Sequence, residues 1–501
     1  MAALTLLSVL VGWILLVRTM SALDEDPGLF EGAGAYHSHL TATLLVVVVG
    51  GTLQVAVVRY SRRSSLDGWT KLDVYAAFFA VRLSLTFLLE YFHVRPYPDS
   101  DAYLAFPYDP GSFSRTFLPV TGFFTHLLAG AQVYAFSLFS PKFAPRAQVF
   151  VPMICRLFSL ALETLALYLF ERTVRSGLER KVGPWGQVDE ADVKRSMLYL
   201  VFFPPALVVS QVWASYELMA VCFNLAALHS LVQDDHLGCG VALGLSFATK
   251  VNGVVSLTLL GVVLARDRNL GSLARLFVGF VASAAATTVT FWLLFNENFG
   301  EDNFLRWIFS LLVNDDKWNT PLFENIWFGP VFGVSHFRLA MAGVTVALVC
   351  AYAFFTRDAG VALVVGGLST FFASITHFPP WWVGQLAYFV PLASLWDDSN
   401  ETVDRVTACF TIYLGAFVAV TGLAVLFVND DYVTLLFDSP LFGTPYYWGW
   451  IFTGYAAFAA GCAILLASPA KSNGFLSPRE AWGCVRWAWR RRKMQGEVEA
   501  G

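Results

Sequence analysis

Two carboxylates one residue apart, Asp99 and Asp101, are the residues of this chain whose type and spacing best suit chemistry. They lie in the sequence RPYPDSDAY (residues 95–103), directly after the apolar run 74–92. Acids next to the hydrocarbon of a bilayer cost free energy, which favours a functional role. One Asp can accept a hydroxyl proton as general base, while the other orients that hydroxyl or binds a metal ion. The alternative is an interfacial loop that solvates its own charges.

Lys250 is a second candidate because it interrupts the apolar stretch 238–264, with Asn252 two residues later. A Lys in a membrane segment costs roughly 2.5–3.5 kcal/mol on insertion scales. It therefore serves either as a structural ion pair or as a cation for an anionic headgroup. Charged residues flank this stretch at 234–235 and 266–268, which predicts that both of its ends lie on the cytoplasmic side of the membrane. The stretch is then a re-entrant hairpin with arms of about 12 residues and its turn at 250–253.

Three further cations are candidates, two in segments predicted to lie outside the membrane and one, Arg156, within the predicted span 152–170. Arg306 and His377 taken singly suit ordinary interfacial positions, but together with Lys250 they could form a phosphate subsite. Arg156 and Glu163 lie seven residues apart on one helical face, a spacing that suits structural ion pairs. Arg156 is also near the outer end of its span, within reach of a site there.

Composition places the chain in a membrane. It has 501 residues, of which 56% are hydrophobic and 14% charged, whereas soluble proteins carry about 25% charge. The net charge of -4 argues against a nucleic-acid partner, and 45 Phe with 16 Trp suit aromatic belts. The seven Cys residues form no C-x-x-C pair, so we predict no metal site and no cofactor.

The apolar runs predict an all-α polytopic protein with about 12–14 transmembrane or re-entrant helices. The basic segment 59–63 is placed in the cytoplasm by the positive-inside rule. Asp99 and Asp101 then lie outside, and a helix at 117–139 lies on the outer face. The predicted spans, besides the hairpin, are 3–20, 40–58, 74–92, 152–170, 197–210, 216–231, 273–295, 337–356, 360–376, 383–396, 405–428 and 446–468.

This topology divides the chain into three parts. Residues 1–71 form an N-terminal helical pair, 72–396 a catalytic region, and 397–501 C-terminal helices with a basic cytoplasmic tail. The catalytic region carries a large first external loop, 93–147, and a second at 296–336. The sequon at Asn400 falls in the cytoplasm, so we predict that it is unmodified.

Five motifs in residues 72–396 resemble the GT-C superfamily of multi-spanning glycosyltransferases. They are YPDSDAY, FLPVTGFFTHL, LGLSFATKVNGVVSL, FLRWIFSLLVNDDKWNTPLFENIWF and HFPPWWVGQLAYFVPL. The order of these motifs along the chain is most similar to that in dolichyl-phosphate-mannose-dependent mannosyltransferases. These include the α-1,3-mannosyltransferase of the N-glycan precursor and the catalytic subunit of GPI mannosyltransferase I. The chain departs from the pattern at Ala102 and at Pro379-Pro380.

The resemblance implies an inverting mannosyltransferase of the endoplasmic reticulum membrane, active on its lumenal face, or a prokaryotic plasma-membrane relative. Its donor would be dolichyl-phosphate-mannose and its acceptor a lipid-linked glycan, with membrane lipids and a small membrane subunit as further partners. Asp101 would be the base with Asp99 beside it. The remaining roles would be phosphate binding by Lys250, Arg306 and His377, and acceptor binding by Arg115, Asn252 and Trp318.

Two other classes remain open. A lipid or sugar transporter predicts pseudo-symmetric halves and ionisable residues deep at the midplane. The sequence shows no internal repeat, and most charges are predicted on one outer face, which favours an enzyme. The second class is a catalytically idle subunit of a glycosylation complex.

Overall fold

The computed structural model describes residues 39–63, 68–91, 147–181, 188–214, 217–249 and 252–295, a short helix near 389–394, and isolated positions elsewhere. The secondary structure of these residues is helical, as the sequence predicts. The helices are α1 His39–Arg63, α2 Lys71–Tyr91, α3 Ala147–Arg180, α4 Glu190–Val201, α5 Pro204–Leu207, a π-helical turn Val208–Val212, α6 Glu217–Val232, α7 His236–Thr249, α8 Asn252–Arg266, α9 Leu270–Phe295 and α10 Phe389–Ser394.

Two helices among the described residues are long and apolar enough to cross a bilayer. They are α2 and residues 270–293 of α9. A third span is formed if α4 counts together with α5 and the π turn, which follow it at an angle of 50°. The all-α class is therefore confirmed for this part of the chain, which holds two to three candidate membrane spans. Of the other predicted spans, 40–58 and 152–170 fall within α1 and α3 and 216–231 matches α6, and the rest lie partly or wholly outside the described residues.

Helices α2 and α3 run antiparallel and are joined by three ion pairs along their length. Lys71 at the start of α2 contacts Glu171, with Nζ 2.8 Å from Oε1. Arg82 pairs with Glu163 at 2.7 Å in the middle, and Glu90 pairs with Arg156 at the other end. We call the end with Lys71 and Glu171 the basic end, and the end with Glu90 and Arg156 the loop end.

Helix α3 continues ten residues beyond the predicted span 152–170, to Arg180. Its 34 residues make a helix of about 50 Å, which exceeds the roughly 30 Å of hydrocarbon. The extension carries Glu171, which accepts hydrogen bonds from Tyr75 Oη at 2.8 Å and Arg175 Nε at 2.7 Å. Arg175 also donates to both carboxylate oxygens of Glu190 in α4. The basic end is therefore a network across α2, α3 and α4.

The network at Glu171 makes stability depend on pH. Burial raises the pKa of Glu171, but hydrogen bonds from Lys71, Arg175 and Tyr75 outweigh burial and leave the pKa below its usual value. A carboxyl with a lowered folded-state pKa stabilises the fold above its unfolded pKa of about 4.3, and this is lost as pH falls through the folded value. We expect Glu171→Gln to lower the midpoint of thermal unfolding at pH 7 and to flatten its fall below pH 5. The prediction is wrong if the unfolding midpoint of Glu171→Gln falls below pH 5 as steeply as that of the wild type.

The predicted span 197–210 is broken, which corrects the sequence-based expectation. Pro204 and Pro205 have no N–H, so the carbonyls of Leu200 and Val201 lose their usual helical donors. Leu200 O accepts from the N–H of Phe203 at 3.4 Å. Arg82 of α2 adds a donor to each carbonyl: its Nη2 donates to Leu200 O at 3.0 Å and its Nη1 to Val201 O. The chain bends here and continues as α5 and the π turn.

Helices α7 and α9 pack at close backbone distance through glycines. A Cβ on Gly240 would lie 2.1 Å from Leu276 O, and one on Gly244 would lie 2.0 Å from Ser283 Oγ. Ser283 also donates across the interface to Val241 O at 3.0 Å. Small residues of this kind let membrane helices approach without side chains between them. The pairing of residue 240 with 276 and of 244 with 283 shows that the two helices run parallel.

Candidate active site

Five described chain segments reach the loop end of the bundle. Helix α2 ends there at Tyr91, α3 begins there at Ala147, and the π turn ends there beside Arg156. The short connection from Val232 to His236 and the hydrogen bond of Asn224 with Ser246 make α7 antiparallel to α6, so α7 ends, at Thr249, on the side of the loop end. Helix α9 is parallel to α7 and therefore ends there, at residue 295. The segments that follow or precede these ends are the predicted external loops 93–147 and 296–336 and the Lys250 turn.

Arg156 connects three of these segments. Its side chain is fully buried and its three nitrogens donate in three directions. Nε donates to Gln211 O of the π turn at 2.8 Å, Nη2 donates to Val94 O at 2.6 Å, and Nη1 donates to Glu90 of α2. Val94 is buried, and its own N–H donates to Leu89 O at 2.8 Å. The start of the acidic segment is thus attached to the bundle.

Gln211 extends the polar cluster inward from the π turn. Its Oε1 accepts from Thr86 Oγ1 at 2.6 Å, and its Nε2 donates to Glu163 Oε2 at 3.5 Å. Glu163 in turn accepts from Arg82, whose guanidinium lies 4.1 Å from the Phe78 ring centroid. All of these polar side chains are buried. Because the groups are satisfied by one another, the cluster serves to fix α2, α3 and the π turn rather than to carry protons itself.

A second polar cluster supports the Lys250 turn. Asn224 of α6 donates to Ser246 Oγ of α7 at 2.9 Å and accepts from Ser256 Oγ of α8 at 3.3 Å. All three side chains are buried. Asn224 therefore holds both arms of the predicted hairpin near its turn. A Cβ on Gly253 would lie 2.3 Å from Leu243 O, so the two arms are also in close contact just below the turn.

The structure places one of the eight predicted site residues. Asn252 is the first residue of α8, within the stretch 250–253 that the sequence predicts as a turn. Among the residues that the structure describes, no cluster of three His, Cys, Asp or Glu side chains could hold a metal ion. The predicted site residues outside the described part of the chain are Asp99, Asp101, Arg115, Lys250, Arg306, Trp318 and His377.

Arg82, Glu90, Thr86 and Gln211 were not singled out from the sequence. A signal existed for the first two, because an Arg and a Glu within a predicted span are costly unless they are paired inside the protein. Arg156 and Glu163 do form the expected ion pairs, and each of them pairs with a residue of α2. No sequence pattern identified Thr86 or Gln211, since their pairing depends on where the broken α4–α5 segment packs.

No protein-family model, no curated protein and no solved structure matches the chain.

Proposed function

We propose that the protein is a GT-C-type mannosyltransferase that moves mannose from dolichyl-phosphate-mannose to a lipid-linked glycan, of the GPI or N-glycan precursor class. The proposed location is the lumenal face of the endoplasmic reticulum membrane. One observation supports this most: the chain segments leading to the acidic pair, the Lys250 turn and the second predicted loop all open at one end of the helix bundle. That end is opposite the cationic network of Lys71 and Arg175.

The reaction uses the residues of that end in distinct roles. Asp101 takes the proton of the acceptor hydroxyl as its oxygen attacks the anomeric carbon, with Asp99 orienting the hydroxyl. The bond from the anomeric carbon to the phosphate oxygen breaks, and dolichyl phosphate leaves with inversion at the sugar. Lys250, Arg306 and His377 stabilise the negative charge on the departing phosphate. Arg115, Asn252 and Trp318 bind the acceptor glycan.

The test is a transfer assay with purified protein in lipid nanodiscs. Radiolabelled dolichyl-phosphate-mannose is supplied with a panel of lipid-linked acceptors that includes GPI and N-glycan precursors. We expect label to enter one acceptor class, and no label to enter when GDP-mannose replaces the lipid donor. Transfer directly from GDP-mannose, or no transfer to any acceptor, would contradict the proposal.

A transporter is a second candidate because of the Arg82–Glu163 pair. Both side chains are fully buried in the middle of the bundle, whereas the sequence analysis expected most charges at one outer face. Ionisable groups at that depth are common in transport pathways. However, every guanidinium nitrogen of Arg82 is bonded inside the protein, which suits a structural pair. Flux of a lipid-linked sugar through sealed proteoliposomes would separate the two classes, and the enzyme predicts none.

The proposed site also predicts on which side of the membrane its residues lie. In sealed vesicles, an impermeant thiol reagent should label S100C and H377C from the same side. L270C, at the start of α9 and 67% exposed, should be labelled only from the opposite side. The comparison is made in a background whose native cysteines are replaced. Labelling of S100C and H377C from different sides would remove the basis of the proposed site.

A further inference from the structure

Two arginines at the basic end have no counter-charge. Arg172 and Arg180 of α3 are exposed, and neither forms an ion pair with any residue that the structure describes. The other cations of this end differ, because Lys71, Arg175 and Arg195 each contact a carboxylate. The two guanidinium groups are therefore free to bind an anion from outside the chain.

His229 of α6 lies beside these arginines. Helices α3 and α6 both run from the loop end to the basic end, and Cys222 Sγ donates to Leu162 O at 3.2 Å, which fixes their register. His229 follows Cys222 by seven residues, about two helical turns, so it faces α3 as well. The same two turns along α3 lead from Leu162 to the turn just before Arg172. Arg172 and Arg180 are both close enough for their positive charges to act on His229.

The imidazole of His229 has a polar atom without a partner. Its Nδ1 is buried and forms no hydrogen bond with the described part of the chain. The acids that follow α6 are engaged with the start of α7: Asp235 Oδ1 accepts from Gly238 N at 2.9 Å, and Asp234 Oδ1 lies 3.5 Å from His236 Nδ1. A buried polar atom normally has a hydrogen-bond partner, so an anion between the arginines and His229 would complete the cluster.

The face of α3 that leads to Arg172 is apolar and exposed. Leu157, Leu165 and Tyr168 lie on this face, and the guanidinium of Arg172 is 5.9 Å from the centroid of the Tyr168 ring. In a bilayer such a face contacts acyl chains, and Tyr is enriched at the level of the headgroups. Arg172 therefore stands where the headgroup of a lipid would lie.

We propose that Arg172, Arg180 and His229 bind the phosphate group of an anionic phospholipid in the leaflet at the basic end. The guanidinium groups supply charge-assisted N–H donors, and His229 donates from Nδ1 in the form that carries a proton there. The acyl chains lie along Leu165 and Tyr168, which is why a lipid fits this site better than free phosphate does. The site is at the opposite end from the proposed transfer site and does not depend on it.

The test is native mass spectrometry of the delipidated protein in mild detergent, titrated with phosphatidic acid. We expect Arg172→Gln to raise the Kd of the first bound phosphatidic acid by about tenfold or more, since one charge-assisted hydrogen bond is lost. Lys194→Gln is the matched control, because it removes a cation of the same end on α4, and it should change this Kd by less than about twofold. An unchanged Kd in Arg172→Gln, or an equal rise in Lys194→Gln, would overturn the proposal.

A second variant and two further ligands make the result specific. His229→Phe keeps an aromatic ring and removes Nδ1, so it should raise the same Kd by about twofold to tenfold, the value of one ordinary hydrogen bond; no rise would exclude His229 from the site. Millimolar inorganic phosphate should not displace the lipid. Displacement would identify a site for soluble phosphate, and equally tight binding of phosphatidylcholine would show that the apolar face alone holds lipid; either result would overturn the proposal.

Discussion

Replacing Asp101 by Asn should lower kcat for mannose transfer by about 10²- to 10⁴-fold, the range that a placed general base contributes. Asn keeps the size and hydrogen-bonding capacity of Asp but cannot accept the proton of the acceptor hydroxyl. The KM for dolichyl-phosphate-mannose should change little, because the donor phosphate is assigned to cations elsewhere. The measurement is initial transfer rate in nanodiscs over a range of donor and acceptor concentrations.

Two matched variants make this result specific. Asp109→Asn removes a carboxylate from the same predicted external loop, eight residues further on, and should leave kcat close to that of wild type. Asp99→Asn should have an intermediate effect, mainly on the acceptor KM, since Asp99 orients the hydroxyl rather than taking its proton. Full transfer by Asp101→Asn would show that this carboxylate is not the base. An equal loss in Asp109→Asn would indicate a general disturbance of the loop.

Helix positions were predictable because each is set by a continuous apolar run. The run 74–92 became α2, Lys71–Tyr91, and the run 273–295 became α9, Leu270–Phe295. Charges at both flanks of an apolar stretch predicted a hairpin in 238–264. Two helices lie there, α7 ending at Thr249 and α8 beginning at Asn252, and Asn224 contacts both, while the predicted turn residue Lys250 lies outside the described residues. These features depend on local composition, so one sequence is enough to find them.

The buried polar contacts were less predictable because they depend on which helices become neighbours. Pro204 and Pro205 signal a break in a helix, but nothing local indicates that Arg82, more than one hundred residues earlier, donates to the carbonyls beside that break. Gln211 likewise gains its partners only because α2 and α3 meet beside the π turn. For the proposed site, sequence order supplied the residues. The structure adds that α2, α7 and α9, which precede Asp99, Lys250 and Arg306, end on one side of the bundle.

Replacing Arg82 by Met should lower the free energy of unfolding by about 3–5 kcal/mol, the loss found when one partner of a buried ion pair is removed. Two effects combine. Glu163, fully buried, loses its guanidinium partner, and the carbonyl of Val201 loses the donor that Arg82 supplies at the proline break, whereas Leu200 O keeps the N–H of Phe203. Each unsatisfied buried acceptor costs about 1–3 kcal/mol. Reversible unfolding in mixed micelles with increasing SDS measures the change.

The double variant Arg82→Met with Glu163→Met separates the two effects. Removing both charges should restore part of the lost stability, because a buried ion pair replaced by apolar side chains is often neutral or stabilising. Recovery should stay incomplete by about 1–3 kcal/mol, since the carbonyl of Val201 in α4 remains without the donor that Arg82 supplied. Arg172→Met on the exposed face of α3 is the matched control and should stay within about 0.5 kcal/mol of wild type. Full recovery of stability in the double variant would contradict this prediction. It would show that Arg82 stabilises the fold only through its ion pair with Glu163 and not through the carbonyls of the broken helix.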